Sequence, residues 1–317
     1  MSRLILVPLD GSEFSESVLD TAVDLARKWD ARLEIVTVHE AVPALDHDLW
    51  ESASREWSES YIEEVADRIQ EQTGLKVPAT SLDGAPAEAI QHHVLARGVD
   101  LIVMATHGRG PVSRFWLGST ADGLVRHSTV PILLLRLDED APGRMLPFEP
   151  RKVLIPLDGS PEAEAILPHA VALAGEEGTE FDLLRVYPYA KDFSSSYLPH
   201  TVQMNTDLLE ERRKTAEEYI QGEAEELVKQ GMSAKGHVVI EENPASGILH
   251  FAKRTGADLI AMSTHGRGGV PRLVLGSVTD KVVRGAEIPT LVYHPTAVAG
   301  GPELERAHGA PQEQVGV

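Results

Sequence analysis

The chain has 317 residues, 42% of them hydrophobic, a formal net charge of −20 and no cysteine. Its length and composition indicate a globular protein of two domains, and the missing cysteine excludes disulfides and thiolate metal sites. The negative charge makes nucleic acid and anionic membranes poor partners. The first apolar run, residues 4–9, is too short for a signal peptide or a membrane span, so we expect a cytoplasmic protein.

Residues 1–138 alternate short apolar runs with helical patterns, and we predict that they form the first domain. The predicted strands are 4–9, 33–38, 75–82, 101–105 and 132–135. The predicted helices are one after Ser12, a long polar one within 50–72, one at 86–97 and one at 118–127. This alternation indicates a parallel sheet with helices on both faces. Such sheets bind ligands at the carboxyl ends of the strands, where the strand order reverses.

The second half of the chain repeats the first. Residues 3–12 read RLILVPLDGS, and residues 151–160 read RKVLIPLDGS. Residues 106–119 begin with THGRG and end with LGS, and residues 264–277 do the same. Because both matches occur in the same order, we infer that the chain arose by duplication of one α/β unit.

The duplication sets the remaining boundaries. We predict a linker at 139–150, rich in proline and charge, a second domain at 151–295 and a disordered tail at 296–317. The strands predicted in the second domain are 153–157, 181–186, 234–240, 258–263 and 289–293. Its predicted helices are 160–174, 203–230, 244–255 and 276–286.

The segment after each fourth strand has the features of a phosphate site. In the first copy THGRG is followed, seven residues later, by Gly118-Ser119 at the start of a helix. Glycines allow close approach of the backbone to a ligand, and a helix N-terminus offers unpaired N–H groups and a positive dipole end. The arginines in this part of an acidic chain also favour an anion. The alternative is that Ser119 and Ser277 only cap helices and that the glycines only turn the chain.

Asp10 and Asp158 follow the first strand of each copy. A carboxylate would repel phosphates but suits a ribose hydroxyl or a base amino group. If the first and fourth strands are neighbours, acid and glycine loop face each other, as a nucleotide requires. The alternative is that each aspartate only forms an Asx turn into the next helix.

These motifs resemble the universal stress proteins, in their tandem two-domain form, over nearly all of residues 1–295. ATP-binding members of that family carry Gly, two residues, Gly, nine residues, then Gly-Ser or Gly-Thr. Gly108 and Gly266 match the second glycine of that pattern, and the first falls on Ala105 and Ser263. The resemblance implies two doubly wound domains, each a five-stranded parallel sheet in the order 3-2-1-4-5.

The resemblance and the chemistry of the glycine loop together predict the residues that bind nucleotide, although His107 and His265 could instead only fix the loop. In the first copy they are Pro8, Leu9, Asp10, Val38, Ala105, His107, Gly108, Arg109, Gly118, Ser119 and Thr120. In the second copy they are Pro156, Leu157, Asp158, Val186, Ser263, His265, Gly266, Arg267, Gly276, Ser277 and Val278. The acids and the residues before them would contact ribose and adenine, and the two valines would contact adenine through their backbone.

The function expected from this resemblance is ATP binding, with Mg²⁺, in one or both copies, as part of stress signalling. No catalytic set of residues is recognisable, and no metal site is expected from the protein alone. Two alternatives stay open. One is slow ATP hydrolysis or self-phosphorylation on Ser119 or Ser277, and the other is an interaction module that binds no nucleotide.

The fifth strands provide the contact expected between the copies. Residues 132–135 and 290–293 are largely apolar and follow Val130-Pro131 and Ile288-Pro289. In the order 3-2-1-4-5 the fifth strand is an edge, and proteins normally cover an apolar edge. We therefore expect the two copies to pair through these strands as an intramolecular pseudo-dimer, with further homo-oligomers left open.

Overall fold

The computed structural model describes residues 3–40, 47–106, 117–136, 148–175, 177–187, 199–264 and 275–295. The strands of the first repeat are β1 Leu4–Pro8, β2 Arg32–His39, β3 Ala79–Asp83, β4 Leu101–Ala105 and β5 Ile132–Leu135. Its helices are α1 Glu13–Glu16, α2 Leu19–Trp29, α3 His47–Thr73, α4 Pro86–Arg97 and α5 Ser119–His127.

The second repeat follows the same plan. Its strands are β6 Lys152–Pro156, β7 Glu180–Tyr187, β8 Ser233–Ile240, β9 Leu259–Ser263 and β10 Thr290–Tyr293. Its helices are α6 Pro161–Glu164, α7 Leu167–Ala174, α8 Pro199–Lys229, α9 Pro244–Thr255 and α10 Ser277–Gly285. The α/β fold class is therefore confirmed. No described helix has both the length and the apolarity that a membrane span needs.

The strands form one continuous sheet in the order β3-β2-β1-β4-β5-β10-β9-β6-β7-β8. Each repeat contributes five parallel strands in the expected order 3-2-1-4-5. β5 and β10 meet at the centre and pair antiparallel, with Leu133 opposite Leu291. The two five-stranded sheets expected from the sequence are thus halves of a ten-stranded sheet, because the two fifth-strand edges hydrogen-bond to each other.

Apolar side chains from both faces of the sheet bury the strands. One hydrophobic cluster lies under α2, α3, α7 and α8 and runs through both repeats. On the opposite face a second cluster lies under α4 and α5, and it includes Leu275, Val283 and Val292 from the second repeat. The contact between the repeats is therefore a packed core as well as a strand ladder.

Three local predictions need correction. The helix expected after Ser12 is broken into α1 and α2, and the helix expected at 160–174 is broken into α6 and α7. In the second repeat Pro168 supplies no N–H for a continuous helix at that point. The third strand is Ala79–Asp83 rather than 75–82, since Pro78 has no N–H to donate to a neighbouring strand.

Candidate functional site

The acid turn after β1 has a defined hydrogen-bond geometry. The N–H and Oγ of Ser12 donate to Asp10 Oδ1 at 3.0 and 2.6 Å. Ser12 Oγ in turn accepts the N–H of Ser15 at 3.1 Å and so caps α1. Gly11 between them has φ of 79°, a left-handed conformation that favours glycine. Asp10 itself is exposed at the edge of the sheet.

The second repeat has the same turn. The Ser160 N–H donates to Asp158 Oδ1 at 3.0 Å, the Ser160 hydroxyl also donates to it, and Gly159 has φ of 79°. The Asx-turn interpretation is thus correct as a description of the backbone. It leaves each carboxyl group, exposed at Asp10 and part-buried at Asp158, at the sheet edge where a ligand could reach it.

The strand neighbours bring the predicted nucleoside residues to this edge. β1 lies between β2 and β4, and Leu6 is opposite both Glu34 and Ile102. The Leu9 N–H donates to the Val36 carbonyl at 2.8 Å, which holds the chain against β2 beyond the last strand residue, Pro8. In the second repeat the Leu157 N–H donates to the Leu184 carbonyl at 2.9 Å.

The valines and the first motif position also lie at the ends of their strands. Val38 is part-buried near the end of β2, and Val186 is buried near the end of β7. Ala105 and Ser263, which replace the first glycine of the family motif, are the last residues of β4 and β9, and both are buried. The Ser263 hydroxyl donates to the Ala163 carbonyl at 3.4 Å.

A backbone hydrogen bond joins the end of β4 to the start of α5. The Gly118 N–H donates to the Thr106 carbonyl at 2.9 Å, and the Gly276 N–H donates to the Thr264 carbonyl at 3.0 Å. Ser119 and Ser277, the first helical residues, are exposed, and Thr120 and Val278 are part-buried. The start of this helix therefore lies at the same sheet edge as the acid turn.

Glycine, not serine, is the N-cap of α5 and α10. Neither cap makes a side-chain hydrogen bond to its helix, whereas Ser12, Ser160 and Asn243 cap α1, α6 and α9 through their side chains. The interpretation that Ser119 and Ser277 only cap these helices is therefore wrong. Helix N-termini without a side-chain cap leave N–H groups that an anion can accept from.

The two glycine caps differ in the space around them. A Cβ at Gly118 would lie 3.6 Å from the Thr106 carbonyl oxygen, an ordinary contact, but a Cβ at Gly276 would lie 2.6 Å from the Thr264 carbonyl oxygen. We expect Gly276→Ala to lower the free energy of unfolding by about 1–3 kcal/mol more than Gly118→Ala, because backbone must move. Both variants lose the same glycine N-cap, so the difference isolates the clash. Equal midpoints in denaturant unfolding would contradict it.

The glycine loop, between the end of β4 or β9 and the start of α5 or α10, lies outside the described residues. This applies to His107, Gly108 and Arg109 and to His265, Gly266 and Arg267. Their predicted contacts with nucleotide stay predictions. In the described part of the chain, no group of three or more acids and histidines could hold a metal ion.

Two arginines in the helices that follow the glycine loops, Arg126 and Arg284, have acidic partners. Arg126 Nε donates to Asp122 at 2.8 Å, and Arg284 Nε donates to Asp280 at 2.8 Å. Arg284 also reaches Asp122 of the other repeat at 3.2 Å, and Arg136 donates to the Arg284 carbonyl at 2.6 Å. Arg284 and Arg136 thus link the two repeats, and Arg126 pairs within its own repeat, so these three guanidinium groups are already engaged by protein partners.

A tyrosine–glutamate pair beside each acid turn was missed in the sequence. Tyr61 on α3 donates to Glu16 at 3.1 Å, and Tyr219 on α8 donates to Glu164 at 2.9 Å. Their recurrence at corresponding positions of the two copies was the available signal. Trp57 stacks on Tyr61 at 5.4 Å between ring centroids and is half-exposed.

A separate groove of about 570 Å³ lies along β8 at the far edge of the sheet. Phe251 and Arg254 line it together with His237, which is hydrogen-bonded to Asp182 at 2.8 Å. None of the predicted site residues contributes to this groove. The candidate site lies at the carboxyl ends of β1 and β4 in the first repeat and of β6 and β9 in the second.

Known proteins share both the sequence pattern and the fold. The family model described as the universal stress protein family matches residues 1–136 and again 149–294. A universal stress protein of Mycolicibacterium smegmatis is 28% identical over 302 residues, which are 92% of this chain and 97% of that protein. A universal stress protein of Mycobacterium tuberculosis is 28% identical over 316 residues, 91% of this chain and 94% of that protein.

A solved structure supports the fold. The crystal structure of a universal stress protein from Archaeoglobus fulgidus superposes with a TM-score of 0.68 at 23% identity, and the match covers 93% of this chain and 97% of that one. Two matches to the family model, together with relatives aligned over nearly their whole length, account for the duplicated sequence and for the sheet order. The chain belongs to the universal stress protein family.

Proposed function

We propose that the protein binds ATP at the carboxyl edge of the sheet, in one or both repeats, and that it acts in the cytoplasm as a nucleotide-dependent stress-signalling protein. One observation carries this proposal. In each repeat an acid turn and a glycine-capped helix start lie at the same sheet edge, after the neighbouring strands β1 and β4 or β6 and β9.

The two ends of this site have the chemistry that a nucleotide needs. Asp10 and Asp158 can accept hydrogen bonds from ribose hydroxyls or a base amino group. The starts of α5 and α10 supply backbone N–H groups and the positive end of a helix dipole to phosphates. The missing side chain at Gly118 keeps the approach to these N–H groups open, so the residues present fit ATP.

Mg²⁺ would have a place beside the phosphates. It would neutralise part of their charge, with Ser119 and Ser277 as nearby hydroxyl ligands. The described residues include no group of three or more acids and histidines that could hold a metal ion, so the nucleotide would supply most of the ligands of Mg²⁺. We therefore expect Mg²⁺ to strengthen ATP binding but not adenosine binding.

The pairing of the two repeats belongs to this proposal. We infer that they act as an intramolecular pseudo-dimer, and three observations support this. β5 and β10 pair antiparallel, the repeats share a hydrophobic core, and Arg284 reaches Asp122 across the boundary. Each nucleotide site then has a fixed relation to the other.

Calorimetric titration with ATP, ADP and AMP tests nucleotide binding directly. We expect binding at one or two sites per chain and a loss of ATP binding by Gly118→Val in the first site, because its methyl groups would cover the helix start. Gly118→Ala, whose Cβ would make only an ordinary contact with the Thr106 carbonyl oxygen, is the matched control for folding. Absence of heat for all three nucleotides at millimolar concentration would reject the proposal.

The fate of radiolabelled ATP distinguishes the alternatives. ATP retained intact supports binding and signalling, and release of ADP supports slow hydrolysis. Label transferred to the protein, and lost in Ser119→Ala or Ser277→Ala, supports self-phosphorylation. Protein that retains no label supports an interaction module without nucleotide.

A further inference from the structure

Each acid turn leads into a helix that is too short to be stable on its own. α1 and α6 are each one turn of four residues, and an isolated helical turn is unfavourable in water. Their positions must therefore be set by contacts with the rest of the molecule. Among the contacts that reach them from the long helices, Tyr61 and Arg68 of α3 bond to α1, and Tyr219 of α8 bonds to α6.

The same contact occurs in both repeats. The Tyr61 hydroxyl donates to Glu16 Oε1 at 3.1 Å, and the Tyr219 hydroxyl donates to Glu164 Oε1 at 2.9 Å. Burial, and then the adjacent carboxylate, raises the pKa of each tyrosine far above its ordinary value. Each hydroxyl keeps its proton and donates a hydrogen bond to the carboxylate.

A short chain of hydrogen bonds leads from this contact to the acid. Glu16 is the last residue of α1, and Ser12, its N-cap, donates to Asp10 Oδ1 at 2.6 Å. The Asp10 N–H donates to the Ser15 hydroxyl at 3.2 Å, so the helix and the carboxylate form one unit. A shift of α1 would carry the carboxylate with it.

We propose that Tyr61 and Tyr219 are positioning residues that hold the nucleoside-binding carboxylates in place through Glu16 and Glu164. This inference rests on the proposed function, because the carboxylates are useful in this position only if a nucleoside binds there. The tyrosines touch α1 and α6, not the ligand, so they act through the acid turns.

The two repeats differ in a way that sharpens the test. Arg68 also bonds to Glu16 in the first repeat. The residue at that place in the second repeat, seven positions after Tyr219, is Glu226, which pairs with Lys229 at 3.1 Å instead. The side chain of Glu164 therefore depends more heavily on its tyrosine than the side chain of Glu16 does.

The experiment removes single hydroxyl groups from the full chain. Tyr61→Phe is made with Asp158→Ala, and Tyr219→Phe with Asp10→Ala, so that each variant reports one site. Affinities for adenosine and for inorganic triphosphate are then measured by calorimetry. Losing a hydrogen bond to a charged group changes an equilibrium constant by about tenfold. We therefore expect the affinity for adenosine to fall about tenfold in Tyr219→Phe and about threefold in Tyr61→Phe. The affinity for triphosphate should not change.

Two further variants complete the comparison. Adding Arg68→Ala to Tyr61→Phe should bring the loss in the first site to that of Tyr219→Phe. Tyr293→Phe removes a hydroxyl elsewhere in the second repeat, where the ring packs on His169, and should change neither affinity. Amide hydrogen exchange without ligand should become faster in residues 11–17 and 159–165 of the respective variants.

The outcomes separate this inference from the proposed function. A wild-type protein that binds neither adenosine nor triphosphate overturns the proposed function and, with it, the positioning role. If the wild type binds both, unchanged adenosine affinity in Tyr219→Phe overturns the positioning role alone. Equal losses for adenosine and triphosphate, or unchanged exchange in the acid turns, also overturn it.

Discussion

Replacing both aspartates of the acid turns with alanine should reduce the affinity for adenosine by about 10- to 100-fold. A hydrogen bond to a charged group contributes about 1.5–3 kcal/mol, and in the proposed site Asp10 and Asp158 are the carboxylates at the nucleoside end. The affinity for inorganic triphosphate should change little or rise, because a negative charge near the phosphates is removed. Calorimetry of the double variant with each ligand measures both effects.

Asparagine provides the matched control. In Asp10→Asn and Asp158→Asn an amide oxygen can still accept from Ser12 and Ser160, as Oδ1 does in the wild type. The turn is kept and only the charge is lost. Asparagine variants that bind adenosine almost normally would show that the turn, and not the charge, matters. An equal loss for adenosine and triphosphate in the alanine variant would contradict the placement of the acids beside the sugar.

Separating the repeats should change the oligomeric state completely. β5 is buried in the full chain, and β10 covers its edge. In residues 1–140 alone, the apolar strand 132–135 would expose a row of unpaired N–H and C=O groups, together with the surface that packs on Leu275 and Val283. We expect this half-chain to dimerise or aggregate in analytical ultracentrifugation.

The other half and the full chain serve as controls. Residues 141–317 should behave like 1–140, and a mixture of the halves should form a one-to-one complex, since β5 and β10 complete each other. The full chain at the same concentration needs no second copy to cover this edge. A half-chain that stays soluble and monomeric at high concentration would count against the pseudo-dimer.

The local elements could be predicted from the sequence because their signals are local. β4 and β5 occupy the predicted residues, 101–105 and 132–135, since short apolar runs between turns read as buried strands. The duplication was visible in two repeated motifs, and the family resemblance supplied the strand order. Local errors remained: both first helices are broken, at Pro168 in the second repeat but without any proline in the first.

The site was predicted only in part. Asp10 and Gly118 were chosen correctly as residues at one sheet edge, because strand ends in a parallel sheet converge there. The sequence could not show that a Cβ has less space at Gly276 than at Gly118. That difference depends on the carbonyl oxygen of Thr264, twelve residues away from Gly276. Nor could the sequence show that Tyr61 reaches Glu16.

The sequence by itself determined the number of repeats and the type and approximate position of their helices and strands, and it supplied the predicted residues of the candidate site. Those properties follow from side-chain periodicity and backbone chemistry over a few residues. Only the tertiary structure decided that β5 and β10 pair antiparallel, that Arg284 pairs with Asp122 of the other repeat, and that tyrosines of α3 and α8 bond to Glu16 and Glu164. These are contacts between residues distant in the chain, and their partners are selected by packing geometry that no local pattern encodes.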